Sequence, residues 1–506
     1  MADSILSLGD IQIGEPDANA EYFSALRGKR EPLFLNAFLM TPHLPMKEIF
    51  SGEKFLLHGQ KGTGKSATLR YVEAQIKSQC STEFLIFKKA FIEEVDLQSF
   101  ANIPLFVDEE EIKRFKHYHH ALKRVFIYIL IALSLRGNKS AENEALDAGQ
   151  NSLLQKLRNS RITDVIKLAF DSLSSLAQVA SLDIEKLTDN KALLNASKAI
   201  KRHNDDLLEF LCRLLRKSQS PVYLIIDEIH FAYRSEESLQ QDAILVRDCI
   251  MSVQSLNDRF AQEGVQCTIL AAVRSEYLEH PIISTADINH SIESVGVNLN
   301  WSTYALNARH PLFEMLHNRF RAAMGESLTK EKFMSVYFAN MDPEDFLSRT
   351  WNKPRDFIRF FKCAKELFPK KASLSRPEAN SVWRRYAQDA WNEMKSSASP
   401  FLTPEALSLL ENTFREHAPD WFQNKKITVD EFGKILEPVY EKAKGNNVNF
   451  YDFQHFMNLL YILGLFGTQH NSGNHEIIFQ TYHRGNRSFH PQGEVRIHPT
   501  VMKAFG

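Results

Sequence analysis

The chain has 506 residues, 44% of them hydrophobic and 24% charged, a balance that suits a soluble globular protein of two to four domains with cores of their own. Sixty-one Lys and Arg stand against 62 Asp and Glu, so no overall field draws it to nucleic acid or a membrane, and any such contact must be a local patch. Five cysteines, Cys80, Cys212, Cys249, Cys267 and Cys363, are scattered without C-x-x-C spacing, which argues for a reducing compartment, the cytoplasm, and against structural zinc.

The opening MADSILSLGDIQ lacks a charged stretch followed by an apolar one, and residues 1–50 read as an N-terminal strap leading to a core over 51–300. EKFLLHG, Glu53 to Gly59, is an apolar run of strand length. It runs into HGQKGTGKSAT, where Gly59, Gly62, Gly64, Lys65 and Ser66 fit the phosphate-binding P-loop pattern. Glycines at those positions let successive backbone N–H groups close around an anion. SATLRYVEAQIKS then predicts a helix whose N-terminal partial positive charge faces the phosphates, beside the point charge of Lys65. Gly59, Gln60, Lys61, Gly62, Thr63, Gly64, Lys65, Ser66 and Ala67 are therefore the expected nucleotide-binding residues, with Ser66 a ligand for Mg²⁺.

STEFLIFKKAF predicts a second strand, and the long interval after it an α-helical insertion, about 91–202, projecting from the core. Its greasiest run, Val125 to Leu135, is too short to span a bilayer and reads as a buried helix, so no membrane partner is expected. RGNKSAENEALDAGQ reads as a flexible link. His117, His119 and His120 lack a surrounding carboxylate and histidine framework and are taken as solvated or packed rather than as metal ligands.

PVYLIIDEIH supplies the second half of a nucleotide site. Val222 to Ile226 has the pattern of a central parallel strand, and ligands of open α/β sheets collect at the carboxyl edge where Asp227 and Glu228 fall. Asp227 is the expected Mg²⁺-shell carboxylate and Glu228 the base that polarises water. A further strand, QCTILAAV, ends at Arg274 and Ser275, either of which would lie near the γ-phosphate. No Asn-Lys-x-Asp string follows it and no LSGGQ-like string precedes Asp227, which counts against guanine-selective and ABC classes and leaves ATP hydrolysis.

Downstream, VGVNLNWSTYALNARHPLFEMLHNRFRAAM predicts a strand and then a helix carrying Arg319 and Arg321, and WNKPRDFIRFFKCAKELF a helix with Pro354 at its start and Arg355 in its first turn. With these segments the chain resembles the AAA+ and STAND group of P-loop ATPases. More narrowly, LSLGDIQIGEPDANAEY, FLLHGQKGTGKSA, LIIDEIH, NKPRDFI and the ending LLYILGLFG, FQTYHRG and VRIHPTV are similar to a family of bacterial P-loop ATPases. The resemblance implies a helical lid over 301–398, Arg355 as a lid sensor, and Arg319 or Arg321 as a residue touching a neighbouring subunit's nucleotide, with slow turnover in isolated subunits. AAVRSE departs from AAA+ usage, where Asn or Thr often ends the sensor strand.

From residue 399 to 506 the pattern changes. Thr403 caps one helix, Thr428 and Glu431 form a capping box at a second, FYDFQHFMNLLYILGLFG reads as a third, and EIIFQTYHRG with GEVRIHP as a hairpin. Three helices and a hairpin suggest a winged-helix-like domain. Its third helix carries no Lys or Arg, which favours protein over DNA as partner, while Arg484 and Arg487 on the wing keep DNA contact in view.

The expected fold is α/β: a P-loop NTPase parallel sheet with a large α-helical insertion, a helical lid and a winged-helix-like C-terminal domain. The expected function is an ATP-driven, Mg²⁺-dependent switch acting on a second copy or a separately encoded effector, with antiphage defence as the setting the resemblance suggests. A DNA-associated loader and ATP held purely as a structural ligand are the alternatives.

Overall fold

The computed structural model describes residues 6–92, 118–137, 148–179, 190–218, 220–229, 236–284, 288–324, 328–399, 401–422, 426–444, 450–471, 477–486 and 488–506. Short helices α1 (Ala18–Arg27), α2 (Leu33–Asn36) and α3 (Met46–Ser51) lead to strand β1 (Leu56–Gly59), helix α4 (Lys65–Ile76), strand β2 (Ser81–Ile86) and helix α5 (Phe87–Ile92). Helices α6 (His119–Gly137), α7 (Ala148–Asn159), α8 (Ile162–Val179) and α9 (Asn190–Lys217) separate β2 from β3 (Val222–Asp227). Then come α10 (Glu236–Gln262), β4 (Cys267–Arg274), α11 (Ser275–Leu278), α12 (Pro281–Ser284), α13 (Ile288–Val295) and β5 (Gly296–Asn298).

The five strands form one parallel sheet in the order β2-β3-β4-β1-β5. Every residue of β3 is buried, as its unbroken Val-Tyr-Leu-Ile-Ile run requires of a strand covered on both faces. The step from β1 to β2 runs across the sheet opposite to the steps from β2 to β3 and from β3 to β4. Right-handed crossovers therefore put α4 on one face and α6 and α10 on the other. The contacts agree: α6 packs on β2, β3 and α10, whereas α4 packs with α1 and α2. Reversal of winding between neighbours β1 and β4 opens a crevice at their carboxyl ends.

Within the expected insertion, α6 is not a projection. From Ala121 to Leu135 its apolar side chains are buried, the sheet lying on one side and α7, α8 and α9 on the other, and they share a single core with the strands. The greasy run is thus explained by burial all round. Arg202, the expected end of the insertion, falls inside α9. His117 and residues 138–147 of the expected link lie outside the described residues. His119 and His120 are packed: the His119 Nδ1 lies 2.9 Å from the Ser252 hydroxyl, and the His120 carbonyl accepts from Asn204 at 2.9 Å. Among the described residues no helix is long and apolar enough to cross a membrane.

A second core gathers the remaining helices: α14 (Pro311–Met324), α15 (Lys330–Tyr337), α16 (Pro343–Ser348), α17 (Pro354–Leu367), α18 (Arg376–Ala398), α19 (Pro404–Phe422), α20 (Val429–Lys444), α21 (Phe453–Ile462) and α22 (Pro499–Phe505). Phe313, Phe338, Phe346, Phe357 and Phe361 meet largely edge to face within it. Leu8, Ile11 and Ile13 of the N-terminal segment belong to this core and not to the sheet's. Strands β6 (Ile427–Thr428), β7 (Phe466–Asn471), β8 (Ile477–Gln480) and β9 (Glu494–Ile497) make an antiparallel sheet in the order β6-β9-β7-β8. Thr403 caps α19, and Thr428 and Glu431 form the expected box at α20. The third helix of the tail is shorter than its sequence pattern: it stops at Ile462, Gly464 takes φ +78°, and Phe466 onward pairs as β7 between β8 and β9. Arg487 lies outside the described residues.

Candidate functional site

The loop between β1 and α4 is held open by its glycines. Gly62 and Gly64 take φ +89° and +104°, and a Cβ on Gly62 would lie 3.2 Å from the Cβ of Arg355. Gly64 caps α4, so the loop's amides and the positive end of the helix face one cavity of about 380 Å³. Lys61, Gly62, Gly64, Lys65, Ser66, Ala67, Asp227, Glu228, Arg274 and Arg355 line that cavity. Gly59, Gln60 and Thr63 do not. They form the underside of the loop, where the Gln60 side chain donates to the Ile462 carbonyl at 2.6 Å and the Thr63 hydroxyl to the Gln60 carbonyl at 2.9 Å. Ser275 also stays outside, so of the two expected groups at the end of β4 it is Arg274 that faces the cavity.

Lys65 is buried and folds back on its own loop, donating to the carbonyls of Gly59 at 2.7 Å and Gln60 at 2.9 Å. Burial brings its ammonium down to about 7, against the opposing pull of Glu276 and Asp227. Lys61 donates to the Ser396 hydroxyl at 2.7 Å and is lowered to about 8 by burial. A polyanion entering the cavity restores both charges and can take the Lys65 donors from the loop carbonyls.

Asp227 ends β3, almost wholly buried, and Glu228 follows with φ +56°, a left-handed backbone that costs a non-glycine residue about 1–3 kcal/mol. That turn lets the Glu228 N–H donate to Asp227 Oδ1 at 2.9 Å. Asn19 of α1 donates its amide to Asp227 Oδ2 at 2.9 Å and reaches Glu228 Oε1 at 3.5 Å. The amide's orientation follows from its other end, since Oδ1 accepts from Arg70 Nε at 3.1 Å. Arg70 is itself fixed, 3.4 Å from the Phe84 ring centroid and 4.1 Å from that of Tyr22, and paired with Glu73 at 2.8 Å. Burial, then the Asp227 and Asp17 charges, push the Glu228 carboxyl above its ordinary range. Ser66 and Asp227 both line this cavity with oxygen donors of the kind a hard divalent cation takes, and Glu228 lines it with a carboxylate, the kind of group that can act as a base.

Arg355 donates from Nε to the Pro16 carbonyl at 2.9 Å, from Nη2 to Asp17 at 2.9 Å, and from Nη1 to Glu393, which also accepts from Arg359. Burial raises the Glu393 carboxyl, but Arg355, Arg359 and Lys61 outweigh it and hold the group well below the usual carboxylate range. Arg319 is not placed to reach another subunit: it is buried, pairs with Glu21 at 2.9 Å, donates to the Ile13 carbonyl at 2.9 Å, and lines the same chain's cavity. Arg321 lines neither this cavity nor its neighbour.

A smaller apolar cavity of about 80 Å³ adjoins the first and shares Gly64, Ala67, Pro354 and Ile358 with it. Phe38, Leu44, Trp301 and Tyr304 line it, and the Trp301 indole is pinned by donating to the Thr63 carbonyl at 2.9 Å. Sequence reasoning missed this cavity and also Asp17, Asn19, Glu276 and Glu393. Glu276, which accepts from the Lys61 N–H at 3.1 Å, stands in the RSEY string beside Arg274, and Asp17 and Asn19 stand in EPDANAEY. Glu393 carries no local signal. Compared with known proteins, the chain matches no family model and no functionally characterised protein.

Proposed function

We propose that the chain is an ATP-hydrolysing P-loop switch. One observation carries the reading: the glycine-rich loop at the start of α4, Lys65, Ser66, Asp227 and Glu228 all line a single cavity at the carboxyl edge of a parallel sheet. Lys65, Lys61 and the loop amides bind the phosphates, Arg274 and Arg355 face the terminal one, and the Phe38, Trp301 and Tyr304 cavity receives the base. Ser66 and Asp227 would hold Mg²⁺, which supplies charge neutralisation at the phosphate oxygens. Glu228 takes the proton of the attacking water as the bond between the β- and γ-phosphates breaks.

Helices α14 to α18 act as a lid in this reading. Their Arg355 touches the loop directly, its N–H lying 3.4 Å from the Gly62 carbonyl. The tail, four helices with a four-stranded antiparallel sheet in which β8 and β9 pair with β7 instead of forming the expected hairpin with each other, is read as winged-helix-like. Its α21 receives the Gln60 contact, so a loop that rearranges around phosphate moves against the tail. The output is a change in which partner binds, a second copy or an effector protein, and the resemblance of the sequence motifs suggests bacterial antiphage defence as the setting.

Calorimetry with Mg·ATP and a phosphate-release assay test the reading together. Lys65→Ala is expected to lose binding, and Glu228→Gln to bind ATP while losing turnover. Equal phosphate release by wild type and both variants ends the assignment.

A further inference from the structure

The N-terminal strap is part of the phosphate cavity. Upstream of it the chain is tied to the second core: the Leu8 N–H donates to the Lys371 carbonyl at 2.7 Å, Lys365 to the Ile11 carbonyl at 2.7 Å, and Glu15 pairs with Lys362. Downstream, α1 packs on α4 at the first core. The few residues between these anchors cross the cavity, where Glu15, Pro16, Asp17 and Ala18 form part of its wall. A wall that holds triphosphate should be cationic, yet here it carries two carboxylates.

Two strap acids pair with the two arginines that α14 and α17 turn toward the cavity, and they differ in kind. Glu21 is 6% exposed and saturated, accepting from the Phe34 and Glu15 N–H groups at 2.8 Å each as well as from Arg319. Such a group is an anchor, because removing it strands the buried Phe34 N–H and takes a partner from Arg319 and from the Glu15 N–H. The Asp17 side chain is 45% exposed, and its tie to Arg355 is a single contact at 2.9 Å. That contact can be exchanged, because a half-exposed ion pair contributes only about 0.2–1 kcal/mol.

From this geometry we infer that the strap is an internal occupant of the phosphate site, Asp17 holding on Arg355 the place that the terminal phosphate of a bound triphosphate takes. The inference rests on the nucleotide reading above. Triphosphate displaces both Asp17 and the Pro16 carbonyl from Arg355, and its negative charge repels the freed carboxylate and that of Glu15, so the crossing segment loosens while Glu21 stays tied to Arg319. A diphosphate, too short to reach Arg355, leaves the strap in place. The strap thus distinguishes the state before hydrolysis from the state after it, and its release from the lid is what a partner can detect.

Asp17→Asn is a clean probe. Asp17 caps α1 by accepting from the Ala20 N–H at 3.0 Å, and Asn caps as well as Asp, so the helix start survives while the competing charge goes. The full chain carrying D17N is expected to bind Mg·ATP about three- to fivefold more tightly than wild type, with Mg·ADP affinity unchanged. In an Arg355→Ala background the same substitution should have no effect. Hydrogen exchange should show the amides of residues 17–22 losing protection in wild type with Mg·ATP and not with Mg·ADP. Unchanged or weaker ATP binding by D17N, or equal strap protection with both nucleotides, overturns the inference and leaves the nucleotide reading standing. Wild type that binds neither nucleotide overturns both.

Discussion

Asn19 donates its amide to Asp227 across 208 positions of sequence, at 2.9 Å, and the same nitrogen lies 3.5 Å from Glu228. The hydrogen bond favours the ionised form of Glu228, against burial and the neighbouring carboxylates that raise it. Asn19→Ala is therefore expected to raise the Glu228 carboxyl further. A base must be deprotonated to act, so the acidic limb of the pH–rate profile for phosphate release should move to higher pH, with kcat falling on that limb and KM changing little. Rates that fall equally at every pH would mean a purely structural role for Asn19.

Lys65 offers a second prediction through its proton. Its ammonium sits at about 7 in the free chain because burial disfavours the charge, and bound phosphates lift it back toward the ordinary lysine range. Below pH 7 the free chain is already protonated and binding takes up little. At pH 8 most molecules are neutral and binding draws in up to about one proton, so affinity should weaken as pH rises, by up to about tenfold per unit. Calorimetry of Mg·ATP in buffers of different ionisation heat measures the uptake. Lys65→Arg, which stays charged throughout, should lose most of the difference between pH 6 and pH 8, leaving the smaller part that Lys61, lowered to about 8, contributes.

The loop and the acid pair were legible because each is local. Gly59 to Ser66 and Asp227 to Glu228 carry their chemistry in adjacent residues, and each follows a short apolar run, Phe55 to Leu57 and Val222 to Ile226. The strap was legible only as a segment. Its contacts join Asp17 to Arg355, Asn19 to Asp227 and Glu21 to Arg319, pairs that no periodicity or spacing connects. For the same reason Arg319 looked like a residue free to reach another subunit. Strand β7 was hidden for a different reason, since Leu459 to Phe466 is apolar throughout and only the backbone of Gly464 divides helix from strand.

Glu393 predicts a stability effect separate from turnover. It is the shared acceptor of Arg355 and Arg359 on α17, and its carboxylate stays ionised well below the usual range. Glu393→Gln leaves Arg355 with only the half-exposed Asp17 and Arg359 with only Asp356 at 3.8 Å, and breaking such a largely buried pair costs up to about 3–5 kcal/mol. A fall of that order in unfolding free energy is expected at pH 7. The sign with pH follows from the depressed carboxyl: the contribution is fully present above the ordinary range near 4.5 and is lost as pH falls below it. Chemical denaturation at pH 7 and pH 3 should show the difference between wild type and E393Q shrinking at the lower pH, and a constant difference would assign the loss to packing.

The tail makes the last prediction, that duplex DNA is not its partner. A recognition helix needs a free face and cations to meet phosphate. Helix α21 has neither: Phe456, Met457, Leu459, Leu460, Tyr461 and Ile462 are buried, no Lys or Arg lies on it, and the Ile462 and Gly464 carbonyls accept from Gln60 and Trp351 of the same chain. On the sheet beside it, Glu494 pairs with Lys426 at 2.8 Å and with Arg496 at 3.7 Å, which offsets one of those two charges. Among the described residues between β8 and β9, Arg484 is the one Lys or Arg; it is exposed, 5.1 Å from the Phe479 ring, and one arginine releases too few counterions for tight binding. Gel shifts at 50 mM and 200 mM salt should therefore show no retained duplex at micromolar protein, with Arg484→Glu making no difference. Retention that falls steeply between the two salts and is lost in the variant would make the tail a DNA-binding element and the chain a DNA-associated ATPase.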